Sequence, residues 1–314
     1  MEGPPRKEIR FVLLAASNPL TFFQAIVIGL LQGVTELFPI SSLGHSVLIP
    51  SLLGWHDLVK GQSASESFYL AFIVGLHVAS ALALLWFFRA DWARIIKAFF
   101  RTLNKRRVDS SDERLAWLII VATVPAGVLG LVLEHHLRVI FAKPLAAAFL
   151  LIINGVILLV GERVRRRSEV RALAVSEGAE PDSFRRLDTL EYREAGIIGV
   201  SQTAALIAGI SRDGIAMVAG LVRGLDNEDA AKFAFLLATP IILAAGVYKL
   251  PDLTGSLGNG IRGQVLVGSI VTFFVSLLSV RYLMRYFKTR NLIPFGVYCL
   301  AFGAFMTLFI VSGA

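Results

Sequence analysis

Apolar residues run in blocks at about 68–88, 115–133, 145–161, 233–250, 264–280 and 292–312. Each block matches the roughly 17–25 helical residues that cross a bilayer. The pattern predicts six transmembrane helices. Two further apolar stretches, 20–53 and 195–222, are interrupted midway by glycines and polar side chains. In lipid every backbone N–H and C=O needs a partner within the protein, so a break at membrane depth must be wrapped by other helices. The two stretches are therefore expected to be re-entrant helix hairpins. The fold class is an all-α polytopic membrane protein, a single integral membrane domain over 1–314.

The interrupted stretches match each other at an offset of 170 residues, pairing Gly29 with Gly199, Gln32 with Gln202, Ser41 with Ser211, Gly44 with Gly214 and Gly54 with Gly224. Each copy, about 20–161 and about 195–312, would be one hairpin followed by three spans, with a linker over about 162–194. An odd number of spans per copy makes this an inverted-topology repeat. The basic residues agree, because segments 89–114 and 162–194 carry eight Lys/Arg each and 281–291 carries four, whereas 134–144 carries two and 251–263 is also poor in them. Lys/Arg-rich loops stay in the cytoplasm. On that rule the first hairpin and the C-terminus open outside, the second hairpin opens inside, and Arg6, Lys7 and Arg10 fall on the disfavoured side.

Composition adds 55% hydrophobic residues and a net charge of +8. The charge belongs to loops beside lipid rather than to a nucleic-acid surface. Cys299 stands alone, which leaves no disulfide framework and no zinc spacing. Arg6, Lys7 and Arg10 precede a short apolar run, Phe11–Ala16, without a small-residue cleavage pattern, so the N-terminus is expected to be retained.

The candidate chemistry lies at the interruptions. Gln32 and Glu36 share a helix face that Pro39 should end, and Ser41, Ser42, Gly44 and His45 follow. The second interruption carries Ser211, Arg212, Asp213 and Gly214. An arginine at membrane depth needs an anionic partner, and its planar fork suits phosphate oxygens. If the hairpin tips meet, Arg212 faces Glu36, Ser42 and His45 across one pocket. Plainer roles stand beside these: one of Ser41 and Ser42 as a helix cap, Gln32 and Gln202 as structural hydrogen-bonders, and His45 as a packed histidine. His77 reads equally as structural or pocket-lining. Asn154, Glu162 and the run Arg163–Arg167 are expected at the interface, and Glu134, His135 and His136 in a solvated loop.

The run from Gln32 through Glu36, Pro39, Ser41, Ser42 and Gly44 to His45 resembles the first signature of the undecaprenyl-diphosphatase (bacitracin-resistance) family. The second signature of that family, Pro-Gly-x-Ser-Arg-Ser-Gly-x-Thr, is matched here by Ala208 through Ala216, with Ala208, Asp213 and Ala216 departing from it. The resemblance implies hydrolysis of a polyprenyl diphosphate to the monophosphate, recycling the lipid carrier for bacterial cell-wall synthesis. It also implies an outward-facing site in the plasma membrane and a divalent metal, Mg²⁺ or Ca²⁺. By position, Glu36, Ser42, His45 and Arg212 would be catalytic. Ser41, Ser211, Arg212 and Gly214 would hold phosphate, and Glu36 would hold the metal, with Gln32 and Asp213 as further ligand candidates. A homodimer is left open. The rival reading is a carrier that moves an anionic lipid across the membrane, since inverted repeats with broken helices also build transporters.

Overall fold

The computed structural model describes residues 20–55, 58, 68–141, 143–175, 185–255 and 259–313. Their regular structure is helical apart from one isolated bridge between Arg185 and Leu225. We number the helices α1 (Phe22–Thr35), α2 (Ser42–Leu52), α3 (Phe68–Phe87), α4 (Arg89–Lys105), α5 (Ser111–Phe141), α6 (Pro144–Val175), α7 (Tyr192–Ser201), α8 (Arg212–Val222), α9 (Asn227–Thr254), α10 (Arg262–Tyr286) and α11 (Ile293–Val311). Short 3₁₀ segments, Leu187–Thr189 and Gln202–Leu206, precede and extend α7.

Five of these helices, α5, α6, α9, α10 and α11, contain segments long and apolar enough to cross a membrane. A sixth crossing exists if α3 and α4 count as one span, but they meet at 82°. Segment 89–114, expected as a basic loop, is helical over 89–105. The reason is an amphipathic repeat: Ile95, Ala98 and Thr102 are buried at three- and four-residue spacing, while Arg94, Lys97 and Arg101 flank them. Residues 134–141, and 162–175 of the expected linker, are likewise helical. Residues 1–19 lie outside the described part, as do the side chains of Glu134, His135 and His136.

Small residues set the helix contacts. A Cβ on Gly29 of α1 would lie 2.7 Å from the carbonyl oxygen of Gly268 in α10, and one on Gly155 of α6 would lie 2.7 Å from that of Gly296 in α11. Gly199 of α7 is pressed in the same way on the backbone of Ala122 in α5. Without an aqueous driving force between helices, such close backbone approach is a main source of packing energy in a bilayer. Polar side chains add to it, as Thr272 donates to the Gly29 carbonyl at 3.0 Å and Ser276 pairs with Ser80 at 3.1 Å.

Candidate active site

Both interruptions are helix breaks with matching caps. Helix α1 ends with Glu36 at its C-cap, and a turn of backbone through Pro39 leads to Ser41 at φ +71°. The Ser41 hydroxyl accepts the Gly44 amide at 3.2 Å and so starts α2. In the second stretch Gly209 takes φ +107°, where a side chain would be strained. Ser211 then accepts the Gly214 amide at 3.1 Å and starts α8. The breaks touch: the Gly209 amide donates to Ser41 Oγ at 3.2 Å, and a Cβ on Gly44 would lie 3.0 Å from Gly209 Cα.

Asn154 joins the two breaks. It is fully buried, its Nδ2 donates to the Pro39 carbonyl at 2.9 Å and its Oδ1 accepts the Ser211 amide at 2.9 Å. The interfacial place expected for it is therefore wrong, because two backbone groups freed by the breaks need a buried partner and an amide offers both polarities. Glu162, also buried, holds Arg165 at 2.9 Å and Arg166 at 3.3 Å.

Four side chains converge on the Glu36 carboxylate. Gln32 Nε2 donates to Oε2 at 3.0 Å, the Ser42 hydroxyl donates to the same oxygen, and His77 Nε2 stands 3.2 Å from it. Arg212 donates from the other break to Oε1 at 2.7 Å. The second ring nitrogen of His77 faces the Ile73 carbonyl at 2.8 Å, so both nitrogens face acceptors and the ring can carry two protons. Glu36, Ser42, His77 and Arg212 open onto one cavity of about 470 Å³, whose walls are otherwise largely aliphatic. Ser41 and Ser211 also line it.

Several expected site residues lie elsewhere. His45 does not line the cavity; its Nδ1 faces the Ser41 carbonyl at 2.8 Å and its Nε2 the Tyr298 hydroxyl at 2.8 Å, in a stack with Tyr298 and Phe302. With both nitrogens engaged, it supports the break from behind. Gly214 is also off the cavity, and its amide is taken by the Ser211 cap. Asp213 is buried away from the cavity with Oδ1 3.4 Å from Arg212 Nε. The structure thus adds His77 to the cluster in the place expected of His45. The signal was legible: His77 is the one His, Asp, Glu, Lys or Arg within 68–88, and an ionisable group in a span is a functional candidate by default.

For a divalent cation, the described residues contain no group of three His, Cys, Asp or Glu side chains. Gln32 points an N–H at Glu36, and Asp213 lies off the cavity beside Arg212, so neither joins Glu36 in a ligand set. A Mg²⁺ site needs less, since one carboxylate together with substrate phosphates commonly suffices. Glu36 is the one carboxylate that opens onto the cavity among its lining residues, and because Arg212 holds Oε1 while Gln32, Ser42 and His77 surround Oε2, a cation there would have to displace one of these donors.

The sequence model of the family described as Bacitracin resistance protein BacA matches residues 25–305. Undecaprenyl-diphosphatase 2 of Frankia alni is 55% identical, with 93% of this chain and 98% of that protein covered. Undecaprenyl-diphosphatase of Mycolicibacterium paratuberculosis is 55% identical over 90% of this chain and 95% of its own length. Undecaprenyl-diphosphatase 2 of Burkholderia ambifaria is 44% identical over 89% and 94% respectively.

Proposed function

Because the chain belongs to the bacitracin resistance protein BacA family, we propose that the Glu36 cluster is where it cleaves the terminal phosphoryl group from its lipid diphosphate. The protein is a membrane phosphatase that converts undecaprenyl diphosphate to the monophosphate and inorganic phosphate. The relatives' names speak for hydrolysis and not for the carrier reading.

The observation that carries the assignment is the joint hold on Glu36: a hydroxyl donor on one carboxylate oxygen and a guanidinium on the other, at the wall of an aliphatic cavity. Phosphoryl transfer asks a protein mainly for positioning and for charge on the transferred group. Arg212, shared between Glu36 and incoming phosphate, turns its fork onto the terminal phosphoryl oxygens. Glu36, relieved of that pair, accepts a proton from the attacking group: water attacking directly gives inorganic phosphate in one step, whereas the Ser42 hydroxyl gives a phosphoserine whose P–O bond a second water, deprotonated in the same way once Glu36 has lost its proton, then breaks to release inorganic phosphate. His77 returns a proton to the oxygen on which the bridging P–O bond breaks. A divalent cation held by Glu36 and the diphosphate would neutralise charge that develops during transfer. The aliphatic wall suits the prenyl chain.

We place the site on the outer side of the plasma membrane, with the two broken stretches as re-entrant hairpins of an inverted repeat. Crossed packing supports this: α1 lies on α10 in the second copy, and its counterpart α7 lies on α5 in the first. Phosphate release from a polyprenyl diphosphate by purified protein in detergent tests the reaction, and absence of release would overturn it, while release unaffected by a chelator would remove only the divalent cation. Cysteine labelling tests the topology. A cysteine in 162–194 should react only from the cytoplasmic side and one in 251–263 only from outside.

A further inference from the structure

Gln202 is 4% exposed, yet neither its amide oxygen nor its amide nitrogen has a hydrogen-bond partner among the described residues. It lines the cavity that Glu36 and Arg212 open onto. Burying an amide without partners is costly, so a native protein keeps such a group where something else supplies the bond. The orphan has a sequence cause. Its counterpart Gln32 donates to Glu36 four residues on, whereas four residues after Gln202 stands Leu206, which offers no acceptor. On α5, which packs against the 3₁₀ segment that holds Gln202, the Thr123 hydroxyl is also buried without a partner among the described residues and also lines the cavity. The contact of Gly199 with Ala122, three residues before Gln202 and one before Thr123, lays the two segments side by side.

We propose that Gln202 and Thr123 form a second polar subsite that holds the phosphoryl group retained on the lipid, while Arg212 and Ser42 hold the one that is transferred. This rests on the phosphatase reading above. The chemistry favours that division. Charged and nucleophilic groups gather at Glu36, where a bond must break. An amide and a hydroxyl offer neutral donors on walls formed by α5 and the 3₁₀ segment after α7, on separate elements from the Glu36 cluster. Neutral donors orient a phosphoryl group without clamping a product that has to leave. An amide also offers an acceptor for a protonated phosphate oxygen, which a second arginine could not.

The test is Gln202→Met, near in shape and unable to hydrogen-bond, with Thr123→Val as an independent variant. Both should raise KM for polyprenyl diphosphate about tenfold, the order expected for one lost hydrogen bond to a charged group. Both should weaken inhibition by polyprenyl monophosphate by a similar factor and leave inhibition by inorganic phosphate unchanged. Thermal stability of Gln202→Met in detergent should hold or rise, because the substitution removes an unpaired buried amide. A variant that melts lower or fails to fold assigns Gln202 a structural role and overturns the proposal. So does weakened inhibition by inorganic phosphate alone, or unchanged kinetics, the result expected if only water sits on the amide. Wild-type protein that releases no phosphate sinks the phosphatase reading itself, whereas active wild type with indifferent variants sinks only the subsite.

Discussion

At the first break Ser41 accepts the Gly44 amide, and at the second Ser211 accepts the Gly214 amide, so two segments 170 residues apart start their second helices in the same way. What they carry differs. The first presents a carboxylate, Glu36, with Gln32 behind it and Ser42 in front; the second presents Arg212 and, where Glu36 would be, Leu206. One backbone arrangement thus supplies a carboxylate from one side and a guanidinium from the other. Two identical halves could supply only like charges, which repel at membrane depth. Divergence of the side chains on a shared backbone is what lets the two breaks pair a carboxylate with a guanidinium.

The comparison is broken most severely at Glu36. Glu36→Gln keeps the volume and removes the base, and we expect turnover to fall about 10²–10⁴-fold with the purified protein still folded by circular dichroism. Activity within about threefold of wild type would remove Glu36 from the chemistry. Arg212→Lys retains the charge of the second break but loses its fork. A fall of about 10²-fold or more in kcat/KM is expected, and near-normal steady-state kinetics would make Arg212 structural.

The two histidines sharpen the contrast between cavity and support. His77→Gln should lower kcat by about 10²-fold, the lower end of the range for a proton donor, with little change in melting temperature. His45→Phe should do the reverse. It keeps the stack with Tyr298 and Phe302 but forfeits two buried hydrogen bonds, so stability should fall by about 1–3 kcal/mol while kcat stays within about threefold. Equal kinetic loss in both variants would end the distinction drawn between them. The smallest effect is expected at Asp213, whose contact competes for Arg212 at 3.4 Å. Asp213→Ser should lower KM a few-fold, because Arg212 is freed of one competing carboxylate, and leave the Mg²⁺ requirement unchanged; a raised requirement would make Asp213 a metal ligand.

Much of this arrangement could be read from residues alone. The long apolar blocks announced the helices, and the offset match of Gly29, Gln32, Ser41 and Gly44 with their partners announced two similar breaks. The pairing of Glu36 with Arg212 followed from the cost of leaving either charge alone in lipid. What sequence could not give was direction. Ser41 and Ser42 are adjacent, but the positive φ of Ser41 turns one hydroxyl to a cap and the other to Glu36. His45 and His77 differ in which way a helix face points, and that is set by α11 and α3 packing against the breaks. Asn154 looked like a boundary residue because its role depends on two carbonyl and amide groups far away in the chain. The helix at 89–105 was masked by its charge, which hid the apolar stripe beneath.

The bond between Arg212 and Glu36 spans 176 residues, and Asn154 ties Pro39 to Ser211 across a similar interval. A ribosome makes these partners in order. During biogenesis the first break is therefore delivered to the membrane with its carboxylate lacking the guanidinium and with the Pro39 carbonyl lacking its amide donor until α6 arrives. The nascent first half cannot settle into its final burial on its own; it must wait in a wet or chaperoned environment until residue 212 has been inserted. The Glu36 cluster is then complete only after two thirds of the chain has been made, so the first half alone lacks the guanidinium that the carboxylate pairs with.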